Sequence, residues 1–176
     1  MSTLNDLMQR SGLPQLEARM LMQHATGWSR VSLISRGLDE LPVVKMQLFS
    51  DLVGRRLSGE PMAYIIGVRE FYGRDFKVNP NVLIPRPDTE TLIEWVLNEC
   101  HLAAQQPLEV LDLGVGSGAI AVTLACERPA WRVSAVDVSV EALRVAADNA
   151  TTLGAEVNFL ESDWLAIFEG RSPSPQ

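Results

Sequence analysis

The run Asp112-Leu113-Gly114-Val115-Gly116-Ser117-Gly118 stands where a short apolar segment, Leu108 to Leu113, gives way to a helical pattern, Ala119 to Glu127. Glycines at alternate positions let the main chain bend sharply and let a ligand approach the backbone without side-chain obstruction. The chain beyond Glu127 keeps the same rhythm. The helix stops before Pro129, Val133 to Val136 reads as a second strand, and Ser139 caps a helix from Val140 to about Leu153 that Gly154 ends. Val157 to Leu160 is a third strand. Strands alternating with helices predict a parallel sheet with right-handed crossovers, the α/β class.

By itself the glycine pattern is ambiguous, because Gly114, Gly116 and Ala119 also satisfy the dinucleotide fingerprint. Asp112 helps to decide. A pyrophosphate on this turn would be held by helix-terminal amides, and a carboxylate just before the turn would oppose its charge. S-adenosylmethionine has no phosphate and carries an ammonium and a sulfonium, which suit that carboxylate; the competing structural reading makes Asp112 a turn cap. Asp137 ends the second strand, nineteen positions after Gly118, where a carboxylate can accept hydrogen bonds from both ribose hydroxyls of a nucleoside. Asp163, just beyond the third strand, could accept from an adenine amino group, and Trp164 could flank the ring. Three acidic groups at the ends of three successive strands form a candidate nucleoside site.

Ahead of this lie segments of different character. Residues 1–60 read as a compact helical bundle. Leu16, Met20, Leu21 and Ala25 recur at helical spacing between Pro14 and Gly27. Trp28 to Ser35 adds a short turn, and a longer helix opens at Pro42 with Val43, Met46, Leu48, Leu52, Val53 and Leu57 as its expected buried stripe. Residues 61–82 contain short β-favouring runs, Tyr64-Ile65-Ile66, Phe71-Tyr72 and Phe76-Lys77-Val78, broken by Gly67, Gly73 and Asn79-Pro80, and are expected to form a hairpin-like linker. Residues 83–176 then hold the α/β region. Its entry, Leu83 to Glu90, has two prolines one residue apart, which predict an extended lead into a helix capped by Asp88 or Thr89.

Charge and rare residues narrow the function classes. The net charge is −7, with residues 1–60 at +1 and the remainder at −8. Nonspecific binding to nucleic acid or to an anionic membrane is therefore not expected, and a cationic ligand suits the second part better than a phosphate-rich one. Cys100 and Cys126 have no metal or disulfide spacing and are expected as buried, reduced thiols. His24 and His101 have no nucleophile or carboxylate constellation around them, so surface or packing roles are expected and no metal site. The start, MSTLNDLMQR, lacks a secretory pattern, and no apolar run reaches spanning length. A cytoplasmic protein is expected.

Several of these runs are shared with a known family. Gly59-Glu60-Pro61, Tyr64-Ile65-Ile66-Gly67, Arg69-Glu70-Phe71-Tyr72-Gly73 and Ile84-Pro85-Arg86-Pro87-Asp88-Thr89-Glu90, together with the glycine run through Ile120, resemble the release factor glutamine methyltransferases (the PrmC/HemK family). The resemblance reaches to about Gly170, and the PRPDTE stretch is its specific element. It implies a helical N-terminal domain that engages class 1 peptide chain release factors, a β-hairpin linker and a Rossmann-like methyltransferase domain, in a chain expected to be a monomer. The implied reaction is transfer of a methyl group from S-adenosylmethionine to the side-chain nitrogen of the GGQ glutamine. The proline-rich stretch would lie over the cofactor, which points to Arg86, Pro87 and Thr89. Asp112, Gly114, Gly116, Gly118, Asp137, Asp163 and Trp164 complete the expected cofactor-binding set.

One family motif is missing. The Asn-Pro-Pro-Tyr run that would aim the poorly nucleophilic amide nitrogen does not occur, so no catalytic residue is assigned and negligible activity is expected. Only three strands of a sheet of about seven are supplied, and the first is expected as an exposed apolar edge. The tail from Arg171 resembles neither strand nor helix. An interrupted or frame-shifted gene near Gly170, or a fragment, is the expectation from these departures. Alternative readings are a methyltransferase of nucleic-acid adenine or of a small molecule, and a nonenzymatic fragment that docks on a release factor. An NAD-dependent oxidoreductase fits least, because of Asp112.

Overall fold

The structure, a computed structural model, describes residues 3–100 and 106–168. They form two compact units divided after Ile66, each with its own apolar core. The expected tail from Arg171 and His101 lie outside the described residues. No described helix is long and apolar enough to cross a membrane.

The first unit is helical throughout. α1 (Leu4–Arg10) opens with a reciprocal cap, in which the Asp6 amide donates to Thr3 Oγ1 at 3.2 Å and the Thr3 amide to Asp6 Oδ2 at 3.0 Å. α2 (Gln15–Thr26) ends at Gly27 in the left-handed conformation. α3 (Arg30–Ser35) starts from a Ser29 cap, and α4 (Val43–Leu57) follows Pro42. Leu4, Leu21, Met22, Leu33, Phe49 and Leu52 form the centre of the core. A two-pronged pair, Arg56 to Glu17 at 2.8 and 3.0 Å, ties α4 to α2.

The expected apolar stripes need correction. On α2 the buried positions are Ala18, Leu21, Met22 and Ala25, while Leu16 and Met20 are exposed. On α4 they are Phe49, Leu52 and Val53, whereas Val43, Leu48 and Leu57 are exposed and Met46 is half-buried. At about 100° per residue, Phe49, Leu52 and Val53 share one narrow arc, with Val43 and Leu48 beyond its two sides. Leu57 is the last residue of the helix and escapes the core by position.

A second correction concerns Tyr64-Ile65-Ile66, which forms a helix rather than a strand. α5 (Met62–Ile66) is opened by Pro61, whose carbonyl accepts from the Tyr64 and Ile65 amides at 3.0 and 3.1 Å. Pro61 supplies a preset φ at the start of a turn, and burial of Ile65 outweighs the β preference of these side chains.

The second unit begins with the expected hairpin. β1 (Val68–Phe71) pairs antiparallel with β2 (Arg74–Lys77) across Tyr72-Gly73. Both turn residues have positive φ, 51° and 71°, which matches the right-handed twist of the strands. Phe71 and Phe76 pack edge to face beneath it, with ring centroids 6.0 Å apart. α6 (Asp88–Glu99) follows, with Pro87 rather than Asp88 or Thr89 at its cap position and no side-chain cap bond. Pro87 already has helical angles, φ −56° and ψ −36°, so the helical conformation begins one residue before the expected capping groups, and residues 83–86 ahead of it carry no regular element.

β3 (Glu109–Leu113), α7 (Ala119–Glu127), β4 (Arg132–Asp137), α8 (Val140–Leu153) and β5 (Val157–Glu161) complete the described chain, with a short 3-10 turn at Ala166–Phe168. The sheet is parallel, in the order β3-β4-β5, and Leu111 pairs with Ser134 while Ala135 pairs with Phe159. α7 is buried nearly all round, as expected for a helix of Ala, Val and Leu packed between the sheet and its neighbours. β3 lies at an edge of this sheet with Leu111 39% exposed, the apolar edge expected from the sequence. Cys100 and Cys126 are half-buried rather than buried. Each stands at or next to the end of its helix, where packing thins, and the Cys126 thiol donates to the Leu153 carbonyl at 3.8 Å.

Candidate functional site at the strand ends

Parallel strands bring their carboxyl ends to one side of a sheet, so the residues after β3, β4 and β5 meet there. The turn after β3 is held to β4 by two bonds, the Gly114 and Val115 amides donating to the Val136 carbonyl at 2.9 and 3.0 Å. Asp137, at the end of β4, then accepts from two backbone amides: Gly116 to Oδ2 at 3.0 Å, and Ser139 to Oδ1 at 2.9 Å. One carboxylate thus sets both the glycine turn and the start of α8. Each oxygen still has lone-pair capacity for a further donor. From β5, the Ser162 amide donates to the Asp137 carbonyl at 3.0 Å, which draws the third strand end against the second.

Gly114, Asp137, Val138, Ser162, Asp163 and Trp164 line a cavity of about 170 Å³. Trp164 is 69% exposed and has φ +51°, a conformation rarely adopted by a bulky side chain. The glycines divide into two kinds. A β-carbon placed on Gly114 or Gly116 would meet nothing within 4 Å, so the backbone there faces open space. On Gly118 it would stand 3.0 Å from Val122 and 3.2 Å from Ala146, so this glycine serves the close packing of α7 on α8.

Asp112 lies beneath the turn and accepts from the Ala121 amide at 3.2 Å, which is the capping geometry set against a ligand role in the sequence. Its pKa is raised, chiefly by burial; the Ala121 amide opposes the rise and the negative Asp137 adds to it. A carboxyl whose folded pKa exceeds its unfolded value contributes stability below the unfolded value, and loses it as pH rises through the folded one. Asp112→Asn keeps an acceptor oxygen without the charge. It is expected to equal or exceed the parent in urea-unfolding stability at neutral pH, with the difference closing toward about pH 4. A variant less stable than the parent at neutral pH would refute this account.

Not every expected residue converges. Arg86, Pro87 and Thr89 stand at the start of α6 and do not line the cavity. That helix start is fastened to the hairpin instead, through the Tyr72 amide donating to Glu90 Oε1 at 3.1 Å. His24 is exposed on α2. Two polar residues escaped the sequence reading. Ser162 is buried and accepts from the Ile167 amide at 3.1 Å. Asn149, 1% exposed, donates to the carbonyls of Lys77 and Ser117 at 3.0 and 2.8 Å and accepts from the Lys77 amide at 2.8 Å. A signal for Asn149 was present: it continues the buried series Ala142, Ala146, Ala150 on α8, a face where a polar residue calls for partners.

Comparison with known proteins adds to this geometry. Residues 3–67 match the family described as the PrmC N-terminal domain, and residues 89–172 match the methyltransferase small domain. Curated relatives named release factor glutamine methyltransferase include one from Neisseria gonorrhoeae, 52% identical over 162 residues, covering 92% of this chain and 58% of the relative. Another, from Bordetella pertussis, is 48% identical over 164 residues, covering 93% and 60%. A third, from Escherichia coli, is 40% identical over 165 residues, covering 93% and 58%. The chain thus spans about three fifths of the length of these relatives.

Proposed function

Because the chain belongs to the family of release factor glutamine methyltransferases, we propose that its second unit holds S-adenosylmethionine at the ends of β3, β4 and β5. We further propose that the whole protein methylates the glutamine side chain of class 1 release factors, with the first unit engaging that partner. Such a role implies a cytoplasmic setting, at translation termination.

The single observation that carries the cofactor reading is the position of Asp137 beside a turn whose Gly114 and Gly116 face open space. In this reading the Asp137 oxygens accept from the ribose hydroxyls while remaining bonded to Gly116 and Ser139. Gly114 and Gly116 let the methionine moiety lie against the main chain. Asp163 accepts from the adenine amino group, and the Trp164 indole covers one face of the ring. The donor set suits a nucleoside with cationic substituents: it is acidic, with no Lys or Arg among the described residues that line the cavity. Asp112 contributes from beneath the turn, through Ala121 and by its negative charge, and Gly118 through packing. Arg86, Pro87 and Thr89 are assigned here as a cover for the cofactor, on the resemblance alone. The enclosed volume is smaller than the roughly 300 Å³ at which ligand pockets begin, so a cofactor on these residues would extend beyond the cavity over the turn.

S-adenosylmethionine supplies a methyl group on a sulfonium, an electrophile that needs only an aimed nucleophile. The aiming groups implied by the family resemblance, those of the Asn-Pro-Pro-Tyr run, do not occur among the 176 residues. We therefore expect these residues by themselves to bind cofactor without transferring its methyl group. Calorimetric titration of the purified chain with S-adenosylhomocysteine, after circular dichroism has established folding, tests this. Micromolar binding is the expected result. A folded chain with no heat of binding would overturn the cofactor assignment for these residues.

A further inference from the structure

The start of α7 is defined by two side chains that keep apart a pair of backbone groups. Were the helix to extend by one residue toward its N-terminus, the Ala121 amide would donate to the Ser117 carbonyl in the ordinary i to i−4 pattern. Instead the Ala121 amide donates to Asp112 Oδ2 at 3.2 Å, and the Ser117 carbonyl accepts from Asn149 Nδ2 at 2.8 Å. The first true helical bond is from the Val122 amide to the Gly118 carbonyl, at 2.8 Å. Gly118 remains at φ +85°, outside the helical region, and its amide closes the turn onto the Val115 carbonyl at 2.8 Å.

We propose that Asn149 is a positioning residue for the glycine turn. By occupying the Ser117 carbonyl it prevents α7 from growing backward into the turn and keeps Gly114 to Ser117 in the shape that leaves Gly114 and Gly116 open. Asn149 is itself fixed from the other side. Both backbone groups of Lys77 in β2 bond its carboxamide, at 2.8 and 3.0 Å, so the hairpin sets the side chain that sets the turn. All these bonds lie within the second unit, and the Asn149 side chain that makes three of them is 1% exposed, so a bond it leaves unmade is costly. The proposal rests on the cofactor reading for its functional consequence, but its geometric content stands independently.

Asn149→Asp is nearly isosteric and keeps an acceptor for the Lys77 amide, while losing both donated bonds. In the full chain, hydrogen exchange at the Gly118 and Ala121 amides is expected to accelerate by at least about tenfold, the change given by losing roughly 1.4 kcal/mol. The Ala135 amide in β4 should be unaffected. Affinity for S-adenosylhomocysteine should fall by a similar factor. Leu124→Ala is the control: a cavity in α7 that lowers thermal stability should leave both local readouts unchanged. If the parent chain does not bind S-adenosylhomocysteine, the cofactor reading fails while the exchange rates still decide the positioning role. Unchanged exchange at Gly118 and Ala121 in a folded Asn149→Asp chain would overturn it. Should that variant not fold, the parent supplies the measurement: the Asn149 carboxamide protons are expected to be strongly protected, and free exchange with solvent would refute the proposal.

Discussion

Gly118→Ala is expected to lower the unfolding free energy of the second unit by roughly 2–5 kcal/mol, the largest stability effect of any single methyl group near the turn. Two costs add. The residue sits at φ +85°, and a side chain in the left-handed region costs about 1–2 kcal/mol. The new methyl would also stand 3.0 Å from Val122 Cγ2, 3.2 Å from Ala146 Cβ and 3.3 Å from Ala146 Cα. Ala146 is fully buried with backbone at the contact, so relief requires α7 and α8 to separate, at about 1–3 kcal/mol for overpacking. Gly116→Ala provides the comparison. It meets nothing within 4 Å and bears only the conformational cost of about 1–2 kcal/mol. Denaturant unfolding followed by tryptophan fluorescence, with Trp131 buried in the second core, reports the difference. Equal losses for the two variants would show that Gly118 is not a packing glycine.

The contrast between these glycines also marks how far the sequence could be read. Spacing alone placed the turn between β3 and α7, and α7 itself was legible from Ala119 to Glu127 because glycines precede it and Pro129 follows. Which glycine faces a ligand and which faces a neighbouring helix depends on Ala146, twenty-eight positions onward, and no local pattern carries that. Tyr64-Ile65-Ile66 was misread for a similar reason. Its side chains favour strand, but Pro61 starts a helical turn and Ile65 is buried in a helical core. On α4, counting apolar residues admitted Val43 and Leu48, whereas the helical arc centred near Phe49 excludes them.

The strand-end acids were legible because topology, not detail, determines them: in a parallel sheet any residue just past a strand arrives at the same rim. Asp137 and Asp163 line one cavity for that reason. Asp112 comes from within β3, two residues before the turn, and its carboxylate is spent on Ala121 beneath it. Arg86, Pro87 and Thr89 had no such topological warrant. They came from resemblance, and α6 places them outside the cavity. Asn149 shares the apolar face of Ala142, Ala146 and Ala150, which is legible, but its partners, Lys77 and Ser117, are brought up only by the fold.

Asp137→Ala is expected to abolish measurable binding of S-adenosylhomocysteine, an affinity loss of at least about 100-fold. Hydrogen bonds to a charged group contribute roughly 1.5–3 kcal/mol each, and the proposed contact has two, one to each ribose hydroxyl. A tenfold change corresponds to about 1.4 kcal/mol, so even the lower sum reaches that factor. The same substitution also releases the Gly116 and Ser139 amides, which loosens the turn the ligand lies against. These two contributions can be separated. Asp137→Asn retains an acceptor oxygen for one amide but presents an NH2 where the other accepted, and it removes the charge. If ribose recognition dominates, both variants lose affinity to a similar extent while circular dichroism and unfolding midpoints stay near the parent. If the turn dominates, affinity should follow the loss of stability, and Asp137→Asn should fall between parent and alanine. Retention of parental affinity by Asp137→Ala in a folded chain would remove the ribose contact from the site, and with it the observation on which the cofactor assignment rests.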